Sequence, residues 1–545
     1  MIFNILATVW WIRTTKVVLF YLYLWQLKEY HIGRFLDHFQ TAKGKKLIFN
    51  RLTFLKIIIF IVYFYLIYFF PSFIYLPSFL IFFLFTIYLA ESLKALSDLL
   101  KRKLKLPVPT AKALILVLVV FSFETLFIFL TLNFAKDTIS FILFLLSFDI
   151  LAPAIISAIV LILQPLTVVL RSGIILRAKM KRKSLKDLFV IGITGSYGKT
   201  STKEFLYTIL SQKFSTVRTK EHQNSEVGIS RCIINELRPD HEIFIVEMGA
   251  YGRGGIKLLA DITKPKIGVL MGANEQHLSL FHSIENIISA EGGKELIDSL
   301  PEDSLGIFNG DNKYSLELYE MSGKPKRIFS AWPKNLKFQP DIWAEGTIVD
   351  KKSLFFKTCS KEGCTNFKVY LSGAHFVPNL LAAITTAKEL GMSSEEINDA
   401  CLKIRPQENT MNIIEGIGNL LIVDDSYSAN PEGVMAALEY LKIYPQKKVI
   451  IMPSLIELGS ASKEVHKRIG EKIGQVCNLA IITTEDRFKE IEEGTIEAGL
   501  YRENILFIEN PEEIFNKIID FCNGEGIILL EGRTPERLIN LLTQK

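Results

Sequence analysis

Ile191-Gly192-Ile193-Thr194-Gly195-Ser196-Tyr197-Gly198-Lys199-Thr200-Ser201-Thr202-Lys203 is a glycine-punctuated turn that follows the apolar run 188–190 and opens into a helical pattern ending near Leu210. That order of strand, turn and helix builds a phosphate cradle. Backbone N–H groups of the turn and the positive end of the helix face an anion, a lysine reaches the outer phosphates, and the next hydroxyl can ligate Mg2+. Gly195, Ser196, Gly198, Lys199, Thr200 and Ser201 are therefore the expected nucleotide contacts, with Thr200 also a metal ligand. The full phosphate-loop pattern asks for glycine at 193, where the chain has Ile193, but the narrower Thr-Gly-x-x-Gly-Lys-Thr form fits at 194–200. A nucleoside triphosphate is the expected ligand.

Toward the N-terminus the composition changes. The 545 residues are 49% hydrophobic with 39 Phe, and the mean hydropathy of +0.27 is too high for a soluble enzyme of this size. The excess lies in the first third. A spanning helix needs about 20 apolar residues, and such stretches occur at about 5–26, 54–71, 77–95, 112–134 and 138–165. These five predict a transmembrane bundle over 1–175. Lys28, Arg34, Lys43, Lys45, Lys46 and Arg51 fill one connecting loop and Lys101, Arg102, Lys103 and Lys105 another, which marks both as cytoplasmic. The turns Pro71 to Pro77 and Ala135 to Asp137 are nearly uncharged, and the stretch after the last span is basic again, from Arg171 to Lys183. An odd number of spans places the N-terminus outside and the large C-terminal part in the cytoplasm. A cleaved signal peptide over 1–26 is the competing reading, opposed by Arg13, Lys16 and the lack of a small-residue cleavage site.

Arg13, Glu124 and Asp149 fall near the middle of their spans, where a charge is costly unless paired. Arg13 meeting Glu124 or Asp149 inside the bundle is one reading, and a grip on a lipid headgroup or substrate is the other. The net charge of +6 comes from membrane-facing loops without an aromatic-interleaved basic patch, so anionic lipid is the expected counter-charge and no nucleic acid partner is expected.

After the basic stretch the pattern becomes α/β. Runs at 188–193, 243–248, 267–271 and 305–309 read as strands of a parallel sheet in a phosphate-loop domain over 184–405. Short alternating segments within 326–372 read as antiparallel strands attached to that sheet. A second series at 420–424, 448–452, 479–483, 505–508 and 527–530 predicts a Rossmann-like domain over 406–545, with a hinge near 406–416. The six cysteines are scattered without zinc-ligand spacing and read as reduced thiols.

Strand ends carry the chemistry. Glu247 closes a buried strand beside the phosphate loop, where a carboxylate can hold Mg2+ against the β- and γ-phosphates. His277 follows another strand at the equivalent end, and its neighbours make it a candidate metal ligand rather than an ordinary loop histidine.

Thr194 to Thr200, His222-Gln223-Asn224-Ser225-Glu226-Val227-Gly228, Glu247-Met248-Gly249, His277-Leu278, Asn309-Gly310-Asp311-Asn312 and Gly373-Ala374-His375 with Asn379 together resemble the Mur ligases in their order. Asp424-Asp425-Ser426-Tyr427-Ser428-Ala429-Asn430-Pro431, then Ile456-Glu457-Leu458-Gly459 and His466, resemble the MurF type, over about 186–545. The resemblance implies a central and a C-terminal Mur ligase domain, and an ATP-dependent, Mg2+-assisted amide ligase of peptidoglycan precursor synthesis. A substrate carboxylate becomes an acyl phosphate, and an amine then displaces the phosphate. It also implies that Thr200 and Glu247 bind one Mg2+ and His277 a second, that Asn224 lies near the γ-phosphate, that Asn379 contacts adenine, and that Asp425 and Asn430 face nucleotide and substrate. Domain closure would bring these together and exclude water. The implied partners are a muramoyl peptide, UDP- or lipid-linked, and an amino acid or dipeptide.

Three departures qualify the resemblance. Mur ligases carry a carbamylated lysine about fourteen residues after the histidine, and the count from His277 reaches Glu291, whose carboxylate can stand in for the carbamate. Lys294, a turn later, is the alternative. Thr410 occupies the place of a family arginine in Pro406-Gln407-Glu408-Asn409-Thr410-Met411. The soluble N-terminal domain that holds the UDP end in MurF-type enzymes is replaced by the apolar region. A membrane-anchored wall-precursor ligase in the cytoplasmic membrane is the first expectation. A ligase making a different poly-amino-acid or wall polymer, and a scaffold or transporter with a degenerate site, are the alternatives.

Overall fold

Predominantly apolar runs of 19 to 26 residues can satisfy their own backbone in apolar surroundings only as α-helices. The N-terminal third is built of them. The computed structural model describes residues 2–39, 41–48, 50–69, 76–135, 138–220, 223–407, 410–426 and 430–543. They divide into the units Met1–Ser172 and Gly173–Lys545.

The first unit contains α1 (Ile2–Leu27), the short α2 (Ile32–His38) and α3 (Ala42–Ile48), then α4 (Arg51–Phe69), α5 (Leu76–Leu100), α6 (Ala111–Phe134) and α7 (Thr138–Ile162). Five spans were expected, but among the described residues three helices are long and apolar enough to cross a membrane: Phe3–Leu27, Ala111–Phe134 and Ser140–Ile162. The expected spans 54–71 and 77–95 coincide with α4 and α5, and most of the turn from 71 to 77 lies outside the described residues, as do 136 and 137. Arg13 pairs with Asp149 and lies 3.2 Å from Glu91, while Lys56 lies 2.6 Å from Glu91 and 2.9 Å from Asp149. Arg13 and Lys56 are therefore answered by Glu91 and Asp149 across α1, α4, α5 and α7. Glu124 is fully buried, and neither carboxyl oxygen has a hydrogen-bond partner among the described residues.

Helix α8 (Gln164–Ser184) leads to the α/β unit, whose first half runs β1 (Phe189–Thr194), α9 (Lys199–Leu210), β2 (Thr216–Arg218), α10 (Glu226–Glu236), β3 (Ile243–Glu247), α11 (Gly255–Thr263), β4 (Ile267–Leu270), α12 (Leu278–Phe281), α13 (Ile284–Ser289), α14 (Lys294–Ser299), β5 (Leu305–Asn309), α15 (Lys313–Met321), β6 (Lys326–Ser330), β7 (Ile342–Val349), β8 (Leu354–Ser360), β9 (Gly363–Val369), α16 (Val377–Glu389) and α17 (Ser394–Cys401). Its nine strands are ordered β2-β3-β1-β4-β5-β6-β7-β8-β9. Pairing is parallel as far as β7 and antiparallel at β7–β8 and β8–β9. The antiparallel reading of 326–372 thus holds only for the hairpins. β6 and the start of β7 extend the parallel order. Cys359 and Cys364 sit opposite each other in the β8–β9 ladder and form a disulfide, which corrects the reading of six reduced thiols. An antiparallel pair brings opposite side chains within bridging reach, whatever their spacing in sequence.

The second half runs β10 (Asn412–Glu415), β11 (Leu420–Asp425), α18 (Pro431–Leu441), β12 (Lys448–Met452), α19 (Ser462–Val476), β13 (Leu479–Ile482), α20 (Phe488–Glu497), β14 (Ile505–Phe507), α21 (Pro511–Cys522), β15 (Gly526–Glu531) and α22 (Glu536–Thr543). Its strand order is β10-β11-β15-β12-β13-β14, parallel except for β10. Within the segment 406–416 expected as a hinge, Asn412 to Glu415 pair with β11 as an edge strand.

Strand order fixes where the chemistry sits. β1 lies between β3 and β4, so chain leaving its C-terminal end passes between connections running to opposite sides. Such a switch point opens the crevice in which parallel α/β sheets bind ligands.

Candidate functional site

The loop 195–198 leaves β1 and enters α9 at Lys199. Gly195 and Gly198 have φ of 154° and 75°, and a Cβ would come within 2.9 Å of Met271 Cβ at the first and 2.8 Å of Asn379 Nδ2 at the second. Glycine is required at both by conformation and by space. No side chain caps α9, so its first-turn N–H groups remain available to an anion. Ser196 N donates to the Gly272 carbonyl over 2.8 Å, and Asn379 Nδ2 donates to the Gly198 carbonyl over 2.8 Å and to Thr202 Oγ1 over 3.3 Å. Asn379, which the resemblance sets near adenine, thus braces the loop exit. Lys199 folds back onto the Gly195 carbonyl, with Nζ 3.7 Å from Glu291. Thr200 and Ser201 stand half-buried in the first turn of α9.

Glu247 ends β3 in register with Ile193. Its Oε1 accepts from Asn224 Nδ2 over 3.3 Å, and its Oε2 lies 3.0 Å from Lys203 Nζ. His222 lies outside the described residues. His277 follows β4 with φ of 64° and begins α12. Its Nδ1 is 3.1 Å from Glu291 and its Nε2 3.5 Å from Glu457. Burial opposes a charge on His277, but the charge and hydrogen bond of Glu291 and the charge of Glu457 carry the imidazole above its usual pKa. Burial likewise works to raise the Glu291 carboxyl, yet the charges of Lys199 and His277, with bonds from His277 and Ser196, hold it below the ordinary range.

Of the two candidates for the bridging anion, the structure brings only Glu291 to the loop. Lys294 is a correction. It opens α14 with an exposed side chain bonded to Asp298 over 2.5 Å, because an i,i+4 partner on the solvent face is nearer than the loop.

The second half of the unit closes over this cluster. Glu457 holds φ of 67°, and its carbonyl accepts from Ser279 N over 3.1 Å. His466 fastens the same loop: Nε2 accepts from Leu455 N over 2.8 Å and Nδ1 donates to the Ser462 carbonyl over 2.5 Å. Asn274 bonds Glu432 in the first turn of α18. Asn430 caps α18 by accepting from Gly433 N over 3.0 Å, and residues 427–429 lie outside the described ones. Lys203, Glu432 and Glu457 escaped sequence reasoning as participants. Lys203 sits in a buried helical stripe, and the two glutamates arrive only through domain docking.

These residues fit an ATP–Mg2+ group. The loop supplies an unfilled cradle of N–H groups, and Thr200 and Glu247 offer hard oxygen donors. His277 has both ring nitrogens against carboxylates and would exchange one of them for a metal. Mg2+ keeps several waters and takes phosphate oxygens, so a few protein donors suffice to hold it.

Asp425 ends β11. It is buried, accepts from Met411 N over 3.1 Å, and stands in register with the fully buried Glu531 on the neighbouring strand. Burial, opposed by the Met411 N–H and aided by the charge of Asp424, pushes Asp425 up to about 7, and burial with Asp425 beside it raises Glu531 well above its usual value. The folded pair therefore holds a proton that the unfolded chain gives up above the ordinary carboxylate range. Its contribution is complete below about pH 4 and is lost as pH rises through about 7, up to about 4 kcal/mol for Asp425. Thermal unfolding of the wild type should fall in temperature between pH 5.5 and 8 more steeply than that of Glu531→Gln; equal slopes would refute a shared proton.

Residues 193–387 match the Mur ligase middle domain and residues 411–534 the Mur ligase glutamate ligase domain. Over 285 residues the chain is 31% identical to the UDP-N-acetylmuramoyl-tripeptide–D-alanyl-D-alanine ligase of Synechocystis sp., covering 52% of this chain and 59% of the relative. It thus spans less than two thirds of that relative's length. MurF from Acinetobacter baumannii shares the fold, with a TM-score of 0.62 at 24% identity over 69% of this chain and 81% of that one. MurF ligase from Thermotoga maritima, solved in complex with ADP, has a TM-score of 0.58 at 26% identity over 68% and 83%.

Proposed function

Because the chain belongs to the Mur ligase family by its middle and C-terminal domains, we propose that it is a membrane-anchored, ATP-dependent amide ligase of peptidoglycan precursor synthesis. It takes a muramoyl-peptide carboxylate and an amino acid or dipeptide, as MurF-type ligases do. Three N-terminal helices long and apolar enough to cross a bilayer support a multi-pass anchor in the cytoplasmic membrane, with the domains over 184–405 and 406–545 on the cytoplasmic side.

The observation that carries this reading is the meeting of Lys199, His277 and Glu291 with Glu457 from the second half of the unit. A cationic loop facing a buried anion across a domain junction suits transfer of a phosphoryl group to a carboxylate. One substrate carboxylate oxygen attacks the γ-phosphorus, the bond to the bridging oxygen of ADP breaks, and the acyl phosphate forms. The amine nitrogen then attacks the acyl carbon, inorganic phosphate leaves with the electron pair of the C–O bond, and the nitrogen loses its proton. Lys199 and the α9 N–H groups oppose the charge on the transferred group. Thr200 and Glu247 would hold one Mg2+ and His277 a second, and the metal would supply further charge neutralisation there. Asn224 orients Glu247, Asn379 and the glycines hold the loop, and docking through Glu457 and Asn274 keeps water from the acyl phosphate.

The test is condensation by detergent-purified protein with ATP, Mg2+, UDP-muramoyl tripeptide and D-alanyl-D-alanine, read by mass spectrometry. A pentapeptide product establishes the reading on a soluble carrier. ATP binding without product with this or a lipid-linked acceptor refutes it. A lipid-linked carrier is the second substrate to supply.

A further inference from the structure

Lys203 is the charged residue in the buried stripe of α9, among Thr202, Phe205, Leu206, Ile209 and Leu210, and it is fully buried. A lone ammonium there would cost several kcal/mol, so its position depends on its partners. Nζ lies 3.0 Å from Glu247 Oε2 and 3.3 Å from Glu204 Oε1. Glu204 already has a counter-charge, since Arg218 Nε lies 2.8 Å from it while stacking over Tyr207 at 3.7 Å. The charge of Lys203 is therefore set against Glu247.

The other Glu247 oxygen accepts from Asn224. The carboxylate offered to a metal is thus neutralised from inside the fold and has a donor on each oxygen. A divalent cation arriving alone meets an ion pair rather than a free anion. It gains little from Glu247 and feels the Lys203 ammonium behind it. Nucleotide phosphates alter that balance by bringing their own negative charge to the front of the site.

We propose that Lys203 is a positioning residue that makes cation binding at Glu247 conditional on nucleotide. It fixes Glu247 through one oxygen, leaves the other to be shared with a metal, and cancels the charge that would otherwise capture a cation in the empty site. Metal and nucleotide affinities are then coupled, and the coupling is reciprocal. The proposal rests on the ligase reading for the role of Glu247.

Mn2+ binding to the full-length protein in detergent, followed by electron paramagnetic resonance with and without a non-hydrolysable ATP analogue, separates the two. The wild type should bind Mn2+ weakly alone and at least tenfold more tightly with the analogue. Lys203→Met should bind Mn2+ alone at least tenfold more tightly than the wild type, with the gain from nucleotide reduced, and Lys203→Arg should keep the wild-type coupling. Lys203→Gln, which retains a donor to Glu247 without the charge, should behave as Lys203→Met and serves if the methionine variant does not fold. A folded neutral variant with wild-type Mn2+ affinity in both states overturns the role of Lys203. A wild type that binds no Mn2+ even with the analogue overturns the nucleotide–metal reading itself.

Discussion

Lys199→Ala lowers the rate of amide formation about a thousandfold or more and leaves the fold intact. Loss of a single donor aimed at developing charge costs about 100- to 1000-fold, and Lys199 adds a full charge, so a barrier increase of about 4 kcal/mol is expected. The fold survives because Lys199 contributes one bond to a loop carbonyl and a 3.7 Å approach to Glu291, while the loop is held independently by Asn379, Gly272 and Asn274. Lys199→Arg should not restore the rate, since a planar fork does not fit a cradle built for a point charge. Product formation by mass spectrometry alongside thermal unfolding checks both halves. A variant retaining a tenth of the wild-type rate would remove Lys199 from the chemistry.

What could be read in the sequence follows from burial. β1, β3, β4 and β5 are covered on both faces, so each is a continuous apolar run that needs no alternation to be seen, and Glu247 and His277 follow from where such runs stop. β2 has three residues and β10 four; neither carries a pattern long enough to separate it from a loop. The Cys359–Cys364 bridge depends on the register of one hairpin, which spacing alone does not give. In the apolar region, Arg13 and Asp149 stood out at mid-span, whereas Lys56 and Glu91 lie toward the ends of their expected spans and join the cluster only through helix packing. The site shows the same divide. Residues within one strand–loop–helix unit were legible. Glu457, which reaches His277 from 180 positions onward, depends on how two sheets dock.

Glu291→Gln lowers the rate about a hundredfold, and the wild type is indifferent to carbon dioxide. The Glu291 carboxylate is 2% exposed and faces Lys199 and His277, so it is a permanent anion where related ligases are expected to form one by carbamylating a lysine. An amide keeps the shape and removes the charge. Lys199 and His277 then oppose each other without an anion between them, and His277 loses the partner that holds its pKa up. Depleting bicarbonate should leave wild-type turnover unchanged. Glu291→Lys should be nearly inactive in depleted buffer and recover when bicarbonate is restored, because only then can its amine become a carbamate. Rates in matched buffers, with a 13C-labelled carbamate signal sought in the lysine variant, distinguish the cases. A wild type that slows on depletion would place the bridging anion on another lysine and take Glu291 out of the role. An unaffected wild type with an inactive glutamine variant leaves the carboxylate as the anion that holds Lys199 and His277 in place for phosphoryl transfer.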